Sequence, residues 1–126
     1  MYFESLVLEI HAGKAGWKTV KPPFFQGKSG VYQKFSFLAT DGKFQYGFDF
    51  YSDVSEEEVL RTYMKRLDTE VLTFIISLRG RPRKEVAKLA DDYGITILGP
   101  ADIDSFFNID RIGVISRPEQ VVNIPD

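Results

Sequence analysis

The chain has 126 residues, of which 44% are hydrophobic and 27% are charged, and its formal net charge at pH 7 is -2. This length fits one domain, and the composition excludes extended disorder. Cysteine is absent from the sequence, which excludes disulfides and thiolate metal sites and favours a reducing, cytoplasmic location. The apolar run at residues 6–10 is short and charged residues surround it, so it predicts neither a signal peptide nor a membrane span.

The first half of the chain predicts one helix and a β-hairpin. Apolar side chains recur at helical spacing over residues 2–12, which predicts the helix. A short extended piece follows to Val20, and Pro22-Pro23 then predicts a loop as far as Gly30. Residues 31–39 and 44–51 are rich in aromatic and β-branched side chains on either side of a Gly-containing turn. This pattern predicts the two strands of a hairpin.

The second half alternates helices and strands. Ser55 and Glu58 have the spacing of a capping box, which predicts a second helix from Glu56 to about Arg66. Its apolar positions are Leu60, Tyr63, Met64 and Leu67. The apolar run 71–78 predicts a central parallel strand that is covered on both faces. A third helix starting at Pro82, a strand over 95–98 and a short last helix follow.

The end of the sequence differs in composition from the rest. From Asn108 onward it contains two prolines and a short apolar stretch over residues 112–115, which predict an appended strand followed by a tail. We therefore expect a domain over residues 1–107 and a C-terminal extension over residues 108–126.

Several short segments are similar to the PD-(D/E)XK restriction-endonuclease-like family, in particular to its Mrr-like branch. They are Gly16-Trp17 after the first helix, Lys28-Ser29-Gly30-Val31 before the hairpin, and residues 73–77, 85–90 and 94–98 in the second half. The resemblance covers roughly residues 3–107. It implies an α/β fold in which a mixed sheet, formed by a β-hairpin and central parallel strands, is flanked by helices.

The same resemblance implies a site in the hairpin, with substitutions at most of its positions. The family has an Asp on the first hairpin strand, and an acid and a Lys two residues apart on the second. Here Ser36 falls where the Asp is expected, Asp49 supplies the second acid, and Tyr51 replaces the Lys. Glu4, on the first helix, is a candidate supporting acid. Asp49 is the one candidate metal ligand left in the hairpin, and a lone carboxylate binds Mg²⁺ poorly. We expect a degenerate site without a cofactor, with Mg²⁺ only if cleavage persists.

A basic cluster follows the predicted central strand. Its members are Arg79, Arg81, Arg83, Lys84 and Lys88. Open α/β sheets bind ligands beyond the carboxyl ends of their strands, so this cluster is a candidate site for binding DNA or RNA. The alternative is an ordinary solvated surface.

Aromatic side chains are concentrated in the loop and the hairpin. Phe44, Tyr46, Phe48 and Phe50 alternate along the second hairpin strand, so they share one face of it. An exposed aromatic face would serve a homodimer interface or a stacking surface for unpaired bases. The alternative is that these rings pack beneath the helices.

Three hypotheses of function remain open. The first is a catalytically degenerate nuclease-fold module that binds nucleic acid or a protein partner as a homodimer. The second is an active Mg²⁺-dependent DNA endonuclease that uses Asp49. The third is a structural assembly domain. The first is favoured, because most of the family's catalytic positions are substituted.

Overall fold

The computed structural model describes the backbone of residues 3–112 and the side chains of residues 5–107. Its helices are α1 (Phe3–Lys14), α2 (Glu56–Thr69), α3 (Lys84–Tyr93) and α4 (Ile103–Ile112). Its strands are β1 (Lys18–Thr19), β2 (Phe24–Gln26), β3 (Tyr32–Lys34), β4 (Phe37–Thr40), β5 (Gln45–Tyr51), β6 (Leu72–Ser77) and β7 (Thr96–Leu98). A 3-10 turn over Pro100–Asp102 precedes α4.

One mixed sheet forms the centre of the domain, with strand order β1-β4-β5-β6-β7. Strands β1, β4 and β5 are antiparallel neighbours, whereas β6 is parallel to both β5 and β7. The predicted α/β class and the central parallel strand are therefore confirmed. Strands β2 and β3 pair only with each other and form a separate antiparallel ribbon.

The sheet is covered on both faces. On one face, Leu8 of α1 and Phe107 of α4 pack with Phe48 and Ile76 of the sheet. On the other face, Val59 of α2 and Val86 of α3 pack with Ile75, which follows Phe74 on β6. Because neighbouring residues of a strand point to opposite faces, β5 and β6 contribute side chains to both cores. Asp49 lies between Phe48 and Phe50 and so faces α2.

The region before the hairpin differs from its prediction. The predicted loop up to Gly30 contains β2, and the predicted strand 31–39 divides at Phe35-Ser36 into β3 and β4, which belong to different sheets. Phe35 is buried beside Gly47, where an added Cβ would lie 2.6 Å from its ring. The chain turns here because the Phe35 ring fills the space that the absent side chain of Gly47 leaves.

The orientation of α2 also differs from its prediction. Leu60, Met64 and Leu67 were expected to be buried, but they are exposed. The buried side of this helix instead contains Val59, Thr62 and Thr69. The buried side of α2 therefore combines apolar Val59 with two hydroxyl side chains.

On β5, the alternative that the aromatic rings pack beneath the helices holds for three of the four rings. Phe48 is 0% exposed, and Tyr46 and Phe50 are partly buried against the same core. Phe44, just before β5, is 47% exposed. The rings pack beneath α1 and α4, where Trp17 stacks on Tyr46 at 4.1 Å between ring centroids.

Helix boundaries shift slightly from the predictions. Helix α2 continues to Thr69 and α3 begins at Lys84. The strand predicted over 112–115 lies outside the described residues except for Ile112, which ends α4, and α4 runs through the predicted domain boundary at 107. None of the helices within residues 3–112 is long and apolar enough to cross a membrane.

Candidate functional site

A buried ion pair lies at the centre of the predicted site. Asp49 of β5 is only 4% exposed, and its Oδ2 atom lies 2.9 Å from Nζ of Lys65 on α2. The Lys65 side chain is 15% exposed. Burying a carboxylate costs several kcal/mol unless it is paired, so the Lys65 ammonium is what allows Asp49 to occupy the interior.

Lys65 has three interactions at once. Its ammonium donates to Asp49 and also to the carbonyl oxygen of Lys34, at 2.5 Å. The same nitrogen lies 5.0 Å from the centroid of the Phe35 ring, within the range of a cation–π interaction. The side chain therefore joins α2, β5 and the junction between β3 and β4. Its position depends on the turn of the chain at Phe35.

Ser36 lies directly beside Asp49, as the hairpin prediction expects. The Ser36 amide donates to the carbonyl oxygen of Phe48 at 2.9 Å and, more weakly, to Oδ1 of Asp49 at 3.4 Å. The Ser36 hydroxyl accepts a hydrogen bond from the amide of Phe50 at 3.2 Å. The Ser36 hydroxyl thus extends the hydrogen bonding between β4 and β5 beyond the first residue of β4.

Burial dominates the electrostatics of Asp49. It raises the pKa of the Asp49 carboxyl, while the Lys65 ammonium and the Ser36 amide lower it by less. Burial, and then the negative charge of Asp49, also raise the pKa of the Tyr51 hydroxyl, while Arg61 lowers it. Tyr51 is therefore a neutral, weakly acidic group and does not reproduce the cationic Lys that the resemblance implies at this position.

Glu4 is the remaining predicted member of the site. It lies in the first turn of α1, and its side chain is outside the part of the structure that is described. Its neighbour Ser5 donates to the carbonyl oxygen of Ser36 at 3.4 Å. The start of α1 is thus beside Ser36, whereas α1 and Asp49 belong to opposite faces of the sheet.

The arrangement does not suit a divalent metal ion. Among the described residues, no group of three or more His, Cys, Asp or Glu side chains is placed to hold one. The carboxylate of Asp49 accepts from Lys65 and from the Ser36 amide, and a metal at Asp49 would face the Lys65 ammonium. Mg²⁺ favours anionic oxygen ligands and gives up its waters reluctantly. The cation beside this carboxylate is the Lys65 ammonium.

Calorimetric titration of Mn²⁺ and Mg²⁺ tests this conclusion directly. We expect the same heats for the unmodified protein and for Asp49→Asn, because the ammonium of Lys65 repels a metal from Asp49. The control is Asp53→Asn, which removes an exposed carboxylate outside the site. Metal binding that disappears only with Asp49→Asn would contradict this expectation and would revive the endonuclease hypothesis.

The basic cluster lies at the carboxyl ends of β6 and β7. A cleft of about 640 Å³ opens there, and its charged lining residues are Arg81, Lys84, Asp91 and Asp102. The Asp102 carboxylate accepts a hydrogen bond from the amide of Gly99 at 2.8 Å. Because Tyr51 is paired with Ser77, the cleft is next to the strand that carries Asp49.

The cations of this cluster fall into two groups. Arg79 lies 3.8 Å from Asp53, and Lys88 lies 3.3 Å from Asp92. Arg81, Arg83 and Lys84 are exposed and make no ion pair within the described residues. These three are therefore the members of the cluster whose charge is available to a ligand.

Lys65 is the residue that the sequence reading missed. The signal that points to it is helical spacing, because Val59, Thr62, Lys65 and Thr69 are three or four residues apart. A lysine on a buried stripe indicates a buried acidic partner, and Asp49 lies on the strand that precedes this helix. The larger apolar side chains of Leu60, Met64 and Leu67 obscured this pattern.

Comparison with known proteins identifies no relative. No protein-family model, no curated protein and no solved structure matches this chain.

Proposed function

We propose that this chain is a nucleic-acid-binding module on a restriction-endonuclease-like fold, in which an internal ion pair replaces the metal site. The observation that carries the binding function is a group of three exposed cations that make no ion pair with the side chains of residues 5–107: Arg81, Arg83 and Lys84. They lie at the carboxyl ends of parallel strands, beside the amino end of α3. Both features favour an anionic ligand.

The fold assignment depends on the order of the elements. The core order that the resemblance implies is helix, hairpin, helix, strand, helix, strand. The chain has these elements in the same order, as α1, the β4–β5 hairpin, α2, β6, α3 and β7. Strands β1, β4, β5 and β6 are adjacent in that order. Ser36 and Asp49 are neighbours at the start of β4, which supports the alignment of the two predicted positions.

The salt dependence of DNA and RNA binding tests the proposal. Each phosphate contact makes the slope of log K against log salt concentration more negative by about 1. We therefore expect Arg81→Ala with Arg83→Ala to weaken binding and to make that slope less negative by about 2. Fluorescence anisotropy of labelled oligonucleotides at several salt concentrations measures both quantities.

A matched control removes the same charge elsewhere. Lys14→Ala with Lys43→Ala changes the net charge equally, at the end of α1 and in the β4–β5 turn. We expect this variant to keep the slope of the unmodified protein. Equal losses of affinity in the two variants would mean that binding depends on the overall charge and not on the basic cluster. Absence of binding at low salt would refute the proposed function.

The predicted homodimer stays a prediction. The aromatic face of β5, on which that prediction depended, is largely buried. Among the described residues, the exposed apolar side chains include Leu60, Met64 and Leu67 of α2.

A further inference from the structure

The ribbon formed by β2 and β3 has two different faces. Phe25 and Gln33 are half-buried and point toward the domain, where Phe25 packs on the core beneath the ribbon. The outer face carries Phe24 and Tyr32 together with Gln26 and Lys34. Phe24 is 44% exposed and Tyr32 is 64% exposed. Two aromatic rings thus lie on the solvent side of a short ribbon.

The register places these rings as diagonal neighbours. Phe24 is paired with Lys34, and Tyr32 is paired with Gln26. Diagonal positions on adjacent strands are about 7–8 Å apart, within reach of aromatic side chains. The face therefore offers two ring surfaces close together, with a lysine beside one and an amide beside the other.

The segment of the sequence that contains this ribbon is basic. Between Glu9 and Asp41 the chain has five lysines and no acidic residue, although the whole chain has a net charge of -2. Lys21 and Lys28 contact acidic side chains of α1 and of the end of α2. Lys34, on the outer face, makes no ion pair within the described residues and is free to contact phosphate.

The ribbon is held firmly against the domain. Asp68, at the end of α2, accepts hydrogen bonds from the Ser29 amide at 2.8 Å, the Ser29 hydroxyl at 2.8 Å and the Gln33 amide group at 3.0 Å. The Lys28 amide donates to the Asp68 carbonyl oxygen at 2.8 Å. Gly27 is required here, because an added Cβ would lie 1.8 Å from the Asp68 carboxylate. The outer rings are thus presented on a fixed platform.

We infer that this outer face binds unpaired nucleotides, with bases stacked on Phe24 and Tyr32 and a phosphate held by Lys34. This inference rests on the proposed function and adds to it a second contact, which takes unpaired nucleotides. Stacking needs free base faces, which a duplex does not offer, and it tolerates any base because every base has a π-face. The ammonium of Lys34 suits a phosphate next to those bases.

The experiment compares an oligothymidylate of about 16 nucleotides with a duplex of equal length. We expect Phe24→Ala with Tyr32→Ala to weaken oligothymidylate binding by about tenfold for each ring removed. Duplex binding and the salt slope are expected to stay unchanged, because no charge is lost. Phe24→Tyr with Tyr32→Phe keeps both rings and is expected to keep the affinity.

The outcomes separate this inference from the proposed function. Unchanged oligothymidylate binding in the alanine variant, with loss in the Arg81→Ala, Arg83→Ala variant, would overturn the ribbon site and leave the proposed function intact. No binding by the unmodified protein would overturn both. A concentration-dependent rise in mass by light scattering that the alanine variant abolishes would make this face a contact between two copies, and would overturn the inference.

Discussion

Replacing Lys65 with Met is expected to lower the free energy of unfolding by about 3–5 kcal/mol. Methionine keeps the apolar stem of the side chain but removes the ammonium, so Asp49 is left buried without its partner. Asp49 is 4% exposed and Lys65 is 15% exposed, and solvent therefore screens the lost interaction little. Urea unfolding with an unchanged m-value measures the effect.

The control for this change lies on the same helix. Arg61 forms an exposed ion pair with Glu57 at 2.8 Å, and we expect Arg61→Met to cost less than about 1 kcal/mol. The combined variant Asp49→Asn, Lys65→Met removes both charges and is expected to recover most of the stability. Equal losses for Lys65→Met and Arg61→Met would mean that the buried pair is solvated.

The pH dependence of these variants has a definite sign. The pKa of Asp49 is raised, so the folded chain holds the proton of the Asp49 carboxyl more tightly than the unfolded chain does. The contribution of Asp49 to the free energy of unfolding therefore falls as pH rises through the raised pKa. The carboxyls of Asp41 and Asp68 have lowered pKa values, and stability from these groups is lost as pH falls. The difference in free energy of unfolding between Lys65→Met and the combined variant isolates the effect of the Asp49 carboxyl. We expect this difference to grow with pH.

Replacing Phe48 with Ala is also expected to cost about 3–5 kcal/mol. Phe48 is 0% exposed, and its ring centroid lies 5.2 Å from that of Phe74 and 5.9 Å from those of Phe37 and Phe106. Removing it opens a cavity between the sheet and α4. Chemical denaturation measures the loss.

Phe44 provides the matched control, because it is an aromatic residue next to the same strand with 47% of its surface exposed. We expect Phe44→Ala to change stability by no more than about 0.5 kcal/mol. If Phe48→Ala lowers the free energy of unfolding as little as Phe44→Ala does, the Phe48 ring is not buried. The aromatic face of β5 would then be exposed, as in the first of the two alternatives.

Local sequence signals were sufficient for the elements that depend on local chemistry. The Glu58 carboxylate accepts hydrogen bonds from both the amide and the hydroxyl of Ser55, at 2.7 and 2.8 Å, and α2 begins there as predicted. Gly94 ends α3 in the left-handed conformation with a φ of 69°. The apolar run 71–78 contains β6, the parallel central strand.

The errors arose where partners distant in sequence decide the structure. Thr62 is buried and Met64 is exposed on a helix whose Lys65 pairs with Asp49 of β5, which helical periodicity alone does not reveal. The ribbon was missed because Pro22-Pro23 indicates a break, whereas its pairing is supported from the end of α2 by Asp68. At the candidate site, Ser36 and Asp49 lie side by side, and the cation between helix and strand was not foreseen.

The two edge strands of the main sheet have a consequence for assembly. Strand β1 has two residues and β7 has three, and these strands form the two edges of the sheet. An exposed edge recruits another chain through its row of unpaired amides and carbonyls, and edges this short offer few of them. Extension of the sheet by a second copy or by a peptide strand is thus disfavoured. Within the described residues, the main sheet therefore favours recognition through side chains over recognition through strand pairing.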